Sequence, residues 1–255
     1  MLSMPGSLRG LCSSLLLCSG TLLAQELPTP AHVWRSTTGV WQRVEQPVLL
    51  AVALLPALVA LDRPIEAGWQ YSPAADAVFG AARLYGERWT PVVLAAGLYG
   101  AGWLMQDRRL RRVGLAIAGG AGITALLVTG MKVAVGRARP SVGAGSLAFS
   151  APGWDDSHQS FPSGHSALAF LLSTIVASSF QLPPAGQAFV YGGAALTAVS
   201  RLYHRRHWLS DVVAGALVGW VVGQTVVGVL VSPQFSAGVE LVPVPAGVGI
   251  RVPLR

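Results

Sequence analysis

Residues 160–166 read SFPSGHS, and they open the uncharged run ALAFLLSTIVASSF. Pro, Ser and Gly mark turns and helix starts. A helix N-terminus also presents N–H groups without partners and the positive end of a dipole, and a glycine there lets a ligand approach the backbone. The stretch therefore reads either as punctuation before a helix or as an anion site. The rest of the chain decides between the two.

The chain has 255 residues, 52% of them hydrophobic and only 11% charged. A soluble domain carries about 25% charged residues, so this is a membrane-protein composition. The length admits two domains at most, and one is expected. The net charge is +7, but the basic residues are scattered and not interleaved with aromatics, which excludes a nucleic-acid groove. Of 18 basic residues 17 are Arg, and the single Lys is Lys132. Lysine offers a compact charge with three donors that Arg does not reproduce, so the exception is informative.

Uncharged stretches dominate after residue 45: 46–61, 89–106, 113–131, 166–200 and 212–238. Pro183-Pro184 splits the long block in two, which makes six candidate helices. A membrane span needs about 20 residues. Residues 46–61, with Pro47 and Pro56, are marginal as a crossing. Runs such as AIAGGAGITALLVTG carry the small residues that allow helices to pack closely in lipid. At the N-terminus, Arg9, the apolar residues 11–23 and Leu22-Leu23-Ala24 read as an export signal over residues 1–24. Both cysteines, Cys12 and Cys18, lie within it, so cleavage would leave no thiol chemistry. The reading divides the chain into 1–24, an N-terminal segment 25–45, a helical domain 46–232 and a tail 233–255.

Three polar segments remain, 62–88, 133–164 and 201–210, and charge clustered at membrane-helix ends is a functional candidate. Lys132 lies seven residues before Arg139-Pro140, as K-x6-R-P. Pro162–His165, P-S-G-H, opens the fourth helix. Ser200-Arg201 precedes His207 and Asp211, as S-R-x5-H-x3-D. Helix parity puts Lys132, Arg139, Ser163, Gly164, His165, Arg201, His207 and Asp211 at one membrane face. Three cations, with the Ser163 hydroxyl and the Gly164 N–H, make a phosphate cradle that needs no metal. One histidine attacks phosphorus and the other protonates the leaving alcohol. Asp211 lies at i+4 from His207 and is expected to hold one ring nitrogen, which makes His207 the nucleophile and His165 the acid. His158, His204, Arg205 and Arg206 read as solvated or headgroup-facing charges, Asp155 and Asp156 as loop solvation, and His32 as incidental.

Together the three patterns resemble, without a departure, the motifs of the type 2 phosphatidic acid phosphatase superfamily, over about residues 75–232. The resemblance implies an all-α bundle, integral to the membrane in the lipid phosphatases and of about six helices here. It implies no metal or other cofactor. It assigns phosphate binding to Lys132, Arg139, Ser163, Gly164 and Arg201, the nucleophile to His207, the acid to His165 and the partner carboxylate to Asp211.

The expected partner is a lipid phosphate or pyrophosphate: phosphatidate, phosphatidylglycerol phosphate, undecaprenyl pyrophosphate or a lipid A phosphate. Alternatives are a secreted non-specific acid phosphatase, a phosphotransferase, a vanadate haloperoxidase, or a transporter or scaffold with a vestigial pocket. Residues 107–112, DRRLRR, are the strongest cytoplasmic signal, which turns the active face to the periplasm of a bacterial inner membrane. That sidedness conflicts with a cleaved signal if all six helices cross. Either the N-terminal segment stays uncleaved or is not a signal, or residues 46–61 do not fully cross.

Overall fold

A computed structural model describes residues 30–231, 240–244 and 247–251. The expected export signal, both cysteines and residues 233–239 of the tail lie outside the described residues. Among the described residues there are seven α-helices: α1 (Pro30–Ala67), α2 (Pro73–Ala82), α3 (Trp89–Leu104), α4 (Arg108–Val135), α5 (Gly164–Ser179), α6 (Pro184–Tyr203) and α7 (Leu209–Val226). A 3-10 turn, Arg83–Gly86, links α2 to α3, and a π-turn, Val227–Val231, extends α7. In the tail, β1 (Glu240–Val244) and β2 (Gly247–Arg251) form a small antiparallel hairpin.

Six of the helices correspond to the six uncharged stretches. The largest difference is α1, where residues 46–61 sit inside a helix of 38 residues that runs through Pro47, Pro56 and Pro64. At 1.5 Å per residue it is about 57 Å long, so the stretch that is marginal alone belongs to a helix of spanning length. Val33–Ala67, Arg108–Val135 and Leu209–Val231 are each long and apolar enough to span a membrane. The residues 107–112 are also not simply a loop. Asp107 caps α4, accepting from the Arg109 and Leu110 N–H groups, so the arginines form its first turn. Their charge opposes the α4 dipole, but Arg109 reaches the Ser179 carbonyl at the end of α5, where a cation is favoured. The additional helix, α2, begins with Ser72 accepting from Ala75 N–H, Pro73 at N1 and Asp76 in the first turn.

The helices face outward with apolar side chains. Leu49, Leu50, Leu126, Val93, Leu104 and Phe189 are exposed, as lipid contact requires. The interior is a core of Ala95, Val113, Ala116, Ile117, Leu171, Leu172, Ile175, Val222 and Val226, drawn from α3, α4, α5 and α7. Helices α5 and α7 run parallel. Gly215, Gly219 and Gly223, four residues apart on α7, meet Ser163, Ala167 and Leu171–Thr174 of α5 in that order. A Cβ at Gly219 would overlap the Ala167 carbonyl, so these backbones touch only because the side chain is absent. Helix α1 is antiparallel to α7, with Val40 beside Gly228 and Asp62 bonded to Ser210.

A pair of substitutions separates close packing from helix propensity. Gly219→Ala should destabilise the protein by about 1–3 kcal/mol through overpacking. Gly119→Ala on α4, where an added Cβ meets nothing within 4 Å, should stabilise it by about 0.5–1 kcal/mol. Thermal unfolding in detergent reads both, and a higher Tm for Gly219→Ala would contradict the packing argument.

Candidate active site

The site is built on a buried carboxylate. Asp211, in the first turn of α7, is fully buried. Its Oδ1 accepts from Arg137 Nη1 at 2.5 Å, and its Oδ2 from Ser160 Oγ at 2.5 Å and the Trp208 N–H at 2.8 Å. Its carbonyl accepts from the Ser163 N–H at 2.9 Å, which ties the start of α7 to the start of α5. Arg137 divides its guanidinium between two carboxylates, with Nη2 at 2.6 Å from Asp62 Oδ2 near the end of α1. Asp62 also accepts from the Ser210 N–H at 2.9 Å and the Ser210 hydroxyl at 2.8 Å. Every member of this group is buried, and each charge has an opposite partner, as charges out of water require.

His207 lies against this network, 4% exposed, so its ring is shielded from bulk water. Its Nδ1 is 2.7 Å from the Ser160 carbonyl oxygen. A carbonyl only accepts, so Nδ1 carries the proton and Nε2 presents a lone pair. Asp211 Oδ2 is 3.9 Å from Nδ1. The expectation that Asp211 bonds the ring directly is corrected. The Ser160 carbonyl orients the imidazole, and Asp211 acts one step back by fixing the Ser160 hydroxyl and supplying negative charge beside the ring. Burial, followed by the charges of Lys132, Arg139 and Arg201, pushes His207 well below its ordinary pKa, and the Ser160 carbonyl opposes them. The three expected cations therefore do converge on His207 from α4, the following loop and α6.

Lys132 lies in the last turn of α4, which Gly136 closes in a left-handed conformation (φ 59°). Its Nζ donates to the Gln159 carbonyl at 2.5 Å. Arg139 follows in extended backbone and binds Asp156 through Nε to the carbonyl (2.7 Å) and Nη2 to Oδ1 (2.5 Å). Arg201 is 7% exposed, and its Nε has no protein partner among the described residues. A buried guanidinium N–H without a partner carries a desolvation cost that an anion would remove.

The opening stretch is both punctuation and site. Ser163 is the N-cap of α5, and its Oγ accepts from Ser166 N–H and hydroxyl, so it is more a capping group than the free donor expected. Gly164 is the first helical residue, and a Cβ there would meet only Val128 at an ordinary 3.6 Å. Packing does not require a glycine at that position, which leaves approach of a ligand to its N–H as its use. His165 Nε2 lies 3.4 Å from Glu87 Oε1.

Several residues take part that sequence patterns alone did not single out. Arg137 sits inside the x6 of K-x6-R-P, two residues from Arg139, and Asp62 is the only acid at the end of its apolar stretch. Ser160 and Glu87 had no signal, because a backbone carbonyl and a contact across 78 positions leave none. Asp156 is not simply solvated, since it bridges Arg139 and, at 3.2 Å, Arg206. Arg205 pairs with Glu66 at 2.7 Å, and His204 Nδ1 is 2.6 Å from the Ser200 carbonyl, so these too are engaged rather than headgroup-facing.

Arg137→Met would leave Asp62 and Asp211 as buried carboxylates sharing no cation. It should cost about 3–5 kcal/mol of stability, against far less for Arg83→Met on the exposed Arg83–Glu87 pair. Denaturant unfolding measures both, and equal effects would refute the network's structural role.

Residues 110–232 match the sequence model of the PAP2 superfamily. Over 113 residues the chain is 34% identical to the lipid A 1-phosphatase of Porphyromonas gingivalis, covering 44% of this chain and 21% of that protein. It is 33% identical over 116 residues to a PA-phosphatase related-family protein of Dictyostelium discoideum, covering 40% of this chain and 42% of that protein. The chain thus spans less than half the length of either relative. Among solved structures, the transmembrane PAP2-type phosphatidylglycerolphosphate phosphatase of Bacillus subtilis superposes with a TM-score of 0.52 at 23% identity, over 76% of this chain and 94% of that one. Aquifex aeolicus LpxE gives 0.47 at 23% identity, over 64% and 90%. K-x6-R-P, P-S-G-H and S-R-x5-H-x3-D all lie within residues 110–232, the stretch that matches the PAP2 superfamily.

Proposed function

We propose that the protein is a metal-independent phosphatase acting on a lipid phosphate or pyrophosphate through a phosphohistidine at His207. The observation that carries this reading is the His207 ring, with Nδ1 engaged by the Ser160 carbonyl and three cations placed around it. Lys132, Arg139 and Arg201 would hold the nonbridging phosphate oxygens, with the Gly164 N–H at the positive end of α5. Nε2 attacks phosphorus, the P–N bond forms, and the bond to the leaving oxygen breaks as His165 gives that oxygen its proton. In the second half, His165 takes a proton from water, the water oxygen attacks phosphorus and the P–N bond breaks. His207 is regenerated and inorganic phosphate released. The depressed proton affinity of His207 keeps its lone pair available in mildly acidic conditions.

An apolar bundle around a cradle at one helix end supports a lipid substrate over a soluble one. Phosphatidate, phosphatidylglycerol phosphate, undecaprenyl pyrophosphate and a lipid A phosphate share the required head, and the lipid A 1-phosphatase relative makes the last a natural member of the panel. We also propose a bacterial inner membrane location with the site facing the periplasm. The start of α1 lies on the same face as Arg108–Arg112, and positive charge favours the cytoplasm. Cleavage after Ala24 would place the new N-terminus on the exported side, so this topology goes with retention of the segment.

The test is phosphate release by detergent-solubilised protein, in EDTA, from those four lipids and 4-nitrophenyl phosphate. Release should be metal-independent and lost in His207→Ala, by at least about 10³-fold. Asp211→Asn should lower the rate and also cost stability, because Arg137 then keeps only Asp62 as its counter-charge. The acidic limb of kcat/KM, where His207 takes up a proton, should lie well below the ordinary histidine pKa of about 6.5. Undiminished turnover by His207→Ala would remove it as nucleophile. For sidedness, single cysteines replacing the exposed Ala151 and Gln106, with Cys12 and Cys18 changed to Ser, should react and fail to react, respectively, with an impermeant thiol reagent applied outside spheroplasts. The reverse pattern would invert the topology.

A further inference from the structure

We propose that Glu87 is a positioning carboxylate for the general acid: it orients the His165 imidazole and favours its protonated form for delivery to the leaving oxygen. The inference rests on the phosphatase reading above. Glu87 lies outside the stretch 110–232 and outside the three motifs, and no acid neighbours His165 in sequence. In the fold the Glu87 carboxylate lies 3.4 Å from His165 Nε2, at ion-pair distance, and Nε2 makes no hydrogen bond among the described residues.

The contact is built in by three anchors on the 3-10 turn Arg83–Gly86. Buried Gly86 lies so close to the His165 main chain that a Cβ would overlap its carbonyl oxygen. Thr197 Oγ1 of α6 donates to the Ala82 carbonyl at 2.7 Å. Tyr85 OH and Ser173 Oγ of α5 are 3.0 Å apart. Helices α5 and α6 therefore clamp the turn and deliver the next residue, Glu87, to the ring.

The charged groups facing His165 are Glu87 and Arg83 from this turn and Arg201 from α6. Burial, then Arg201, pushes the ring down to about 4, which suits a base but not an acid; Glu87 is the group that opposes them and is outweighed. The effect is reciprocal. Burial alone would raise the Glu87 carboxyl, but the His165 ring, then Arg83 and Arg201, outweigh it and hold the carboxyl low. A carboxylate on Nε2 leaves the other ring nitrogen to serve the ester, the division of labour seen in catalytic triads. Apo contacts of this kind are often longer than those in the substrate complex, so 3.4 Å is compatible with the role.

The readout is leaving-group dependence, which a merely structural role would not move. We would compare kcat/KM of wild type and Glu87→Gln on phosphatidate, phenyl phosphate and 4-nitrophenyl phosphate, because kcat/KM reports phosphoryl transfer to His207. An alkoxide or phenolate needs the proton; 4-nitrophenolate scarcely does. Glu87→Gln should lose about tenfold or more on the first two, a part of the 10²–10⁴ that general acids contribute, and less than about twofold on the third. Removing the negative charge also lowers the proton affinity of His165, so the alkaline limb should move about one pH unit down. Arg83→Gln, which removes a positive charge from the same cluster, should move that limb up. Equal losses on all three esters with an unmoved limb, or no loss, would overturn the proposal. Wild type inactive on all three esters and on the lipid panel would instead overturn the phosphatase reading and this inference with it.

Discussion

One buried carboxylate organises this protein. Asp211 is fully buried, so its oxygens must find donors within the protein: Arg137, Ser160 and the Trp208 N–H on the carboxylate, and the Ser163 N–H on the main-chain carbonyl. Arg137 and Ser160 fold the long α4–α5 loop back onto α7. The Trp208 N–H closes the first turn of α7, and through Arg137 the charge is shared with Asp62 of α1. The Ser160 side chain is held by Asp211 while its carbonyl holds His207. The His207 ring is thus positioned by a chain of bonds beginning at a group it does not directly bond.

The parallel packing of α5 and α7 supplies the second constraint. Gly215, Gly219 and Gly223 let the two backbones approach until the helix starts lie side by side, stapled by the Ser163 N–H to the Asp211 carbonyl. Two positive dipole ends then point at the same region as Lys132, Arg139 and Arg201. Like-directed dipoles repel, so the arrangement is costly unless the helices are held by packing elsewhere. Leu171, Ile175, Val222 and Val226 in the common core do that deeper in the bundle.

Much of this was legible in the chain. Uncharged stretches marked six helices, because lipid imposes a crude and strong rule on composition. Parity brought all eight site residues to one end, because helices of similar length must return. What escaped was of two kinds. Helix α2 is short and begins within a polar segment, so it has no lipid signature, although Ser72, Pro73 and Asp76 mark its start by ordinary capping chemistry. The geometry within the site escaped because it runs through main-chain atoms. The pairing of His207 with Asp211, four residues on, was the natural expectation from helical spacing, yet α7 begins only at Leu209, so His207 lies before the helix and spacing rules do not govern it. The ring turns to a carbonyl 47 residues upstream instead.

The network also separates two boundaries that are easily equated. Residues 110–232 are the stretch shared with the superfamily, and they contain every motif residue. They do not contain Asp62, which neutralises half of the Arg137 guanidinium, nor the turn pinned against the His165 backbone. A chain cut at the shared boundary would keep its motif residues while burying a charge arrangement tuned for two carboxylates with one of them gone. The stretch that matches the superfamily is therefore smaller than the unit that folds. Helix α1, mostly a lipid-facing rod, belongs to the active site through a single aspartate near its end.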